Sequence, residues 1–206
     1  MSLFAGKKNN EGTTMKRLTK GISNYLSNSP RRKLLRSLPK NSICAEIGVW
    51  KGDFSAKIMG LAKPNRLYLI DPWLFQPEFS GRWYGGTVAK SQGDMDGIFE
   101  SVRSRFKEDD RVQFRRDVSV NVLNGFPDEY FDWVYIDGNH YFEYVLKDIE
   151  LSLAKTKKEG IVCGDDLFWG KDIGFPVKKA VEEVKAKHKK IRVEYIKNQY
   201  VIYKFT

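Results

Sequence analysis

Ile43-Cys44-Ala45-Glu46-Ile47-Gly48-Val49-Trp50-Lys51-Gly52 reads as a short apolar strand that runs out into a turn bearing two glycines. The next positions, Phe54 to Leu61, carry helical spacing. The same rhythm repeats downstream. Leu67–Ile70 is predicted as a strand, and Asp94–Phe106 as a helix with Met95, Ile98, Phe99, Val102 and Phe106 on its apolar side. Strand Val112–Phe114, helix Val118–Leu123, strand Phe131–Ile136, helix Glu143–Ala154 and strand Gly160–Cys163 come next. Parallel strands need a long crossover and a helix supplies it, so this alternation predicts a parallel sheet with helices on both faces. The end of the chain differs. After a helix over Val177–His188, Ile191–Ile196 and Tyr200–Phe205 flank a tight Lys197-Asn198-Gln199 turn, which predicts an antiparallel hairpin.

Upstream of the sheet, residues 1–12 are polar and aperiodic. Met15, Leu18, Ile22 and Leu26 recur at helical spacing, and Arg31–Leu38 is a second short helix with Leu34, Leu35 and Leu38 on one side. The expected organisation is a basic N-terminal arm with helices over 1–40, ahead of one domain over 41–206.

Composition narrows the class. A chain of 206 residues with 41% hydrophobic and 14% aromatic residues is too apolar for a disordered protein. It contains no run of about 18 apolar residues that would span a membrane. Two cysteines are too few for a disulfide scaffold or a Cys-based zinc site, and no export signal opens the chain. A cytoplasmic location is therefore expected. The net charge of +10 suggests nucleic acid until it is divided along the chain. Residues 1–40 hold ten Lys+Arg against Glu11 alone, 41–170 hold 16 against 21 acidic residues, and 171–206 hold ten against four. The basic excess lies on the flanks and the middle is acidic, which favours solvated helix faces over a phosphate-tracking surface.

Residues 72–93 break the alternation, with two prolines, four glycines and the aromatics Trp73, Phe75, Phe79, Trp83 and Tyr84. A loop this long inside a compact domain is expected to be a lid or binding segment, with satellite core as the plainer alternative.

In an open parallel sheet, ligands bind beyond the carboxyl ends of the strands, so the residues there decide the chemistry. Glu46-Ile47-Gly48-Val49-Trp50-Lys51-Gly52 lacks both the Gly-x-Gly-x-x-Gly of a dinucleotide site and the Gly-Lys-Ser/Thr of a P-loop. Asp71 ends the second strand 23 residues after Gly48, the spacing at which a carboxylate meets ribose hydroxyls in nucleoside-binding α/β folds. After the fourth strand stand Asp137-Gly138-Asn139-His140, and after the fifth Asp165-Asp166. Three carboxylates and an imidazole are thus expected at one pocket mouth. Like charges repel unless a proton or cation intervenes, and oxygen ligands suit Mg²⁺. Asp166 is expected to point away, because successive residues of an extended segment alternate faces.

These strings together resemble the class I S-adenosylmethionine-dependent methyltransferases: Ala45–Gly52, Tyr68-Leu69-Ile70-Asp71-Pro72-Trp73, Val134-Tyr135-Ile136-Asp137-Gly138-Asn139-His140-Tyr141 and Gly160–Asp166. The nearest branch is that of macrocin O-methyltransferase. The resemblance runs from about Ser42 onward and leaves the N-terminal helices unmatched. It implies a Rossmann-like, seven-stranded sheet closed by the C-terminal hairpin, here with an N-terminal helical extension. It also implies S-adenosylmethionine as cofactor, with Glu46 and Gly48 toward its methionine part, Asp71 at the ribose, Asp117 at the adenine end, and Trp50 and Asp137 also among the cofactor-binding residues. In relatives that use Mg²⁺, residues matching Asp137, Asp165 and Asp166 hold the ion, and a histidine matching His140 is the base, with Asp137 next to it. Asn139 stands where an acidic residue is common.

The expected reaction is O-methylation of a hydroxyl, assisted by a metal ion, with His140 taking the proton. Trp73, Trp83 and Trp169 as walls favour a sugar-containing or polyhydroxylated small molecule. Two alternatives stay open from sequence: an RNA methyltransferase that uses the basic N-terminus, and a cofactor-binding protein without catalysis. A homo-oligomer formed through the N-terminal helices is a further expectation.

Overall fold

A computed structural model describes residues 29–206. The helix expected over Met15–Leu26 lies outside the described residues. The elements run α1 (Pro30–Ser37), β1 (Ile43–Ile47), α2 (Asp53–Leu61), β2 (Arg66–Ile70), α3 (Gln92–Phe106), β3 (Val112–Arg115), α4 (Ser119–Asn124), β4 (Phe131–Ile136), α5 (Phe142–Lys155), β5 (Thr156–Gly164), α6 (Pro176–Lys187), β6 (Ile191–Ile196) and β7 (Gln199–Lys204). They form one seven-stranded sheet in the order β3-β2-β1-β4-β5-β7-β6. All neighbours are parallel except the β5–β7 and β6–β7 pairs. The expected Rossmann-like sheet with its antiparallel C-terminal hairpin is the fold observed.

The central strands β1, β2 and β4 bury both faces, as strands covered by helices on two sides must. Along β1, Cys44 packs into one core layer while Ala45 and Ile47 pack into the other. The first layer takes Leu34 and Leu35 of α1, Ile58 of α2, and Met95 and Val102 of α3. Leu123 of α4, Ile149 of α5 and Val181 of α6 fill the second. One boundary departs from expectation. β5 starts at Thr156 and not at Gly160, because Phe131 pairs with Thr156 while Trp133 pairs with Ile161, a bulge in which Glu159 takes φ +59°.

The short helix α1 carries a charged side chain to the ligand-binding end of the sheet. Ser29 caps it, accepting from the Arg32 N–H at 3.4 Å, and Pro30 starts it with a preset φ. Its C-terminus leads through residues 38–42 to the amino end of β1. Eight helical residues span about 12 Å, so α1 runs back along the sheet and returns its first turn, with Arg31, to the carboxyl ends of the strands.

Cys44 and Cys163 are buried, unpaired, and held on β1 and β5 with β4 between them. Two strand spacings, about 9.6 Å, exceed the Cα separation a disulfide bridges. Burial pushes both thiols well above their ordinary pKa. Thiol titration is therefore expected to count two groups in unfolded, unreduced protein and almost none in the native state. A count of zero after unfolding would contradict this strand order.

Candidate functional site

The strand order reverses between β1 and β4, and a cavity of about 900 Å³ opens beyond their carboxyl ends. The turn after β1 forms one wall. The Gly48 N–H donates to the Ile70 carbonyl at 2.9 Å and the Asp137 N–H to the Ile47 carbonyl at 2.7 Å, which laces β2, β1 and β4 together at their ends. Gly48 adopts φ +84°, and a Cβ there would sit 2.2 Å from the Asp137 carbonyl oxygen. Only glycine fits this crossing.

Asp71 holds the same turn. Its Oδ2 accepts from the Val49 and Trp50 N–H groups at 2.9 and 3.0 Å, and its Oδ1 from the Trp73 N–H at 2.7 Å. A carboxylate offers about four acceptor positions, so one remains for a ligand in the cavity it lines. Burial raises its pKa, and the three backbone donors oppose that shift. Trp50, at φ +54°, places its ring on the cavity wall 5.8 Å from that of Trp83.

Glu46 is fully buried and still lines the cavity. Ser55 Oγ donates to its Oε2 at 2.5 Å, whereas its Oε1 has no hydrogen-bond partner. Burial pushes its carboxyl well above the ordinary range, with Ser55 pulling the other way. A buried acceptor without a partner is costly. A ligand donor in the cavity would satisfy this one.

The acidic end of the cavity is built differently from expectation. Arg31 Nη2 lies 3.1 Å from Asp137 Oδ2, and the same guanidinium pairs with Asp165. Asp165 also accepts from Asn198 at 3.3 Å and from Gln199, and it does not line the cavity. Asp166 does line it. The roles of the last two carboxylates are thus reversed, because Asp166 takes φ +59° and leaves the extended path on which faces alternate. His140 Nε2 stands 3.4 Å from Asp137 Oδ1 and 3.5 Å from Asp166 Oδ2, is buried, and has no hydrogen-bond partner. The donor atoms of Asp137, His140 and Asp166 lie within 4.8 Å of one another. The structure therefore does not assemble Asp137, Asp165 and Asp166 as one three-carboxylate cluster.

The segment over 72–93 is partly cavity wall and partly core. Trp73 is fully buried against Phe99, and its Nε1 donates to the Trp50 carbonyl at 2.9 Å. It is core and not a cavity wall. Beyond it, Arg82, Trp83 and Tyr84 line the cavity. The Arg82 guanidinium stacks 4.1 Å over Trp169 and donates to Tyr141 Oη at 3.2 Å, closing a polar-aromatic wall beside His140.

Asp117 is exposed, accepts from Asn121 and from the Val118 N–H, and stays outside the cavity lining. The polar pair that does line the wall after β3 is Ser119 with Asp148, whose carboxylate accepts from Ser119 Oγ. Burial pushes the Asp148 carboxyl up to about 6. Sequence reasoning missed both residues, although Asp148 shares the apolar face of α5 with Val145, Ile149 and Ser152, and a carboxylate on such a face is a signal.

The family model described as a methyltransferase domain matches residues 45–167, more than half of the chain. No curated protein matches in sequence. Among solved structures, the O-methyltransferase TomG from Streptomyces achromogenes, in complex with SAM, is similar with a TM-score of 0.62, at 17% identity over 87% of this chain and 81% of that one. An O-methyltransferase from Bacillus cereus, in complex with SAH, has a TM-score of 0.59 at 14% identity over 96% of this chain and 92% of its own. The spermidine synthase of Thermotoga maritima is similar too, with a TM-score of 0.51 at 15% identity over 85% of this chain and 56% of that one. Likeness at this level establishes the fold, and the reaction has to come from the site itself. Among the described residues, no helix is long and apolar enough to cross a membrane.

Proposed function

This chain belongs to the methyltransferase domain family, and we propose that it transfers the methyl group of S-adenosylmethionine to a hydroxyl of a small molecule, with His140 as general base. The observation that carries the reading is that one cavity joins the Gly48 turn, with the unpartnered Glu46 Oε1, to the unpartnered His140 Nε2. Its volume of about 900 Å³ is at the upper end for ligand sites, room for a cofactor and an acceptor together.

The residues present fit the cofactor. Glu46 Oε1 would accept from its amino group, the open acceptor position of Asp71 would take a ribose hydroxyl, and Ser119 with Asp148 would face the adenine, in place of Asp117. When bound, S-adenosylmethionine supplies an electrophilic methyl group on a sulfonium. The chain's part is to hold the acceptor oxygen in line and to remove its proton. His140 lines the cavity, and the positive charge its ring gains on taking a proton lies between Asp137 and Asp166. Trp83 and Trp169 with Arg82 offer flat faces and donors that suit a polyhydroxylated or sugar-containing acceptor. The O-methyltransferase names of two similar structures support this reading. Of the ligands expected for Mg²⁺, Asp137 and Asp166 line the cavity beside His140, whereas Asp165 is engaged by Arg31, Asn198 and Gln199.

The test is incubation with S-adenosylmethionine and panels of hydroxylated metabolites, read as a mass gain of one methyl group. Methylation only of RNA, or of nothing, would sink the reading. For the cofactor, Glu46→Ala, which removes the acceptor, is expected to weaken S-adenosylhomocysteine binding by about tenfold, the scale of one hydrogen bond to a charged group. Calorimetry showing unchanged affinity would remove Glu46 from the cofactor site.

A further inference from the structure

We propose that the Arg31 guanidinium is the resident cation of the acidic strand-end mouth, so that Asp137 and Asp165 are neutralised from within the chain and no Mg²⁺ is held there. The inference deepens the reading above, since it concerns the same site, but its test does not depend on methyl transfer.

Arg31 bridges Asp137 and Asp165, residues 106 and 134 positions away in sequence. A planar guanidinium can serve two carboxylates at once with fixed donors. It is held in place by the helix that carries it: Leu34, Leu35 and Leu38 are buried in the core, and the Arg31 guanidinium lies 5.3 Å over the Phe54 ring. Asp165 has nothing left to offer an ion, because Arg31 takes one oxygen while Asn198 and Gln199 take the other. Burial works against the Arg31 charge, yet Asp137 and Asp165 outweigh it and hold its pKa above the ordinary value. Magnesium needs near-octahedral oxygen ligands at about 2.0–2.1 Å. The atoms that remain are Asp137 Oδ1, Asp166 Oδ2 and an imidazole nitrogen. The guanidinium bound to the other oxygen of Asp137 repels a second cation there, and an imidazole nitrogen is a donor that magnesium does not favour.

The experiment measures ion binding to the whole protein, free of cofactor, with Mn²⁺, which stands in for Mg²⁺, followed by electron paramagnetic resonance. Wild type is expected not to bind Mn²⁺ stoichiometrically at sub-millimolar concentration. Arg31→Ala should gain a Mn²⁺ site at least about tenfold tighter than any in wild type, because two carboxylates lose their counter-charge. Arg31→Lys keeps the charge and should stay without the ion. Where Arg31→Ala does not fold, Arg31→Gln, which removes the charge but keeps an amide donor and leaves both carboxylates in place, serves instead. One tightly bound ion per wild-type chain overturns the proposal whatever the variants do. So does a folded Arg31→Ala protein that fails to gain the site. Failure of methyl transfer on every acceptor would overturn only the functional reading and leave these outcomes intact.

Discussion

His140→Ala is expected to lower kcat by about 10²–10⁴-fold on any hydroxyl acceptor the wild type methylates, with little change in KM or in cofactor affinity. The ring lies against Asp137, Asp166 and Trp169, not against Glu46 or the Asp71 latch, so its loss leaves the Gly48 turn as it is. An unassisted hydroxyl is a weak nucleophile at neutral pH, and the proton must leave as the new bond forms. His140, the base proposed above, has a buried Nε2 without a hydrogen-bond partner, and two carboxylates 3.4 and 3.5 Å away would compensate the charge it gains with the proton. A fall in kcat without a matching rise in KM marks an interaction made in the transition state. A KM effect with kcat intact would make His140 a binding residue and transfer the base to another group. The wild-type rate should also survive excess chelator, since the cation beside Asp137 is part of the chain. Loss of turnover on chelation, restored by Mg²⁺, would instead bring back the metal-assisted route.

Which features are legible in the sequence depends on how each is encoded. The strands and crossover helices are local apolar patterns, and the sheet order is constrained by them because parallel neighbours require those crossovers. Asp71 and Asp137 were legible because the end of a strand fixes where a residue stands. Their partners were not. Arg31 reaches Asp137 only because α1 doubles back along the sheet, a tertiary event that no motif on α1 announces. Asp166 enters the cavity through a left-handed backbone conformation at one residue, which context sets and propensity does not. Trp73 failed as a wall for a similar reason: the chain after Asp71 turns at φ +40° and drives the indole inward. Asp71 lines the cavity, but its three backbone bonds make it first a latch for the Gly48 turn, a role that strand-end position alone does not reveal.

Asp148→Asn is expected to make the protein more stable than wild type above pH 7, by an amount on the order of 2–3 kcal/mol, while the two proteins converge near pH 4. The carboxyl is buried on α5 and its titration is pushed up to about 6, chiefly by desolvation, with the Ser119 hydroxyl opposing. In an unfolded chain an aspartate titrates near 3.9. Between those values the folded protein keeps a proton that the unfolded chain has released, so folding there takes up protons and stability falls as pH rises. The contribution is fully present below pH 4 and is lost as pH passes through about 6. Asparagine copies the neutral form, still accepts from Ser119 Oγ, and has no proton to lose. Glu46 and Asp165 are also shifted upward by burial, but they titrate in both proteins, so the difference between the two stability curves isolates Asp148. Urea unfolding at intervals from pH 4 to pH 8 would measure it, and parallel curves would show that the carboxyl is solvated or paired in the native state. A carboxylate kept at a cavity wall against the stability of the fold is the kind of exchange that ligand sites make. Asp148→Asn should therefore change cofactor affinity as well, which a purely structural residue at this position would not do.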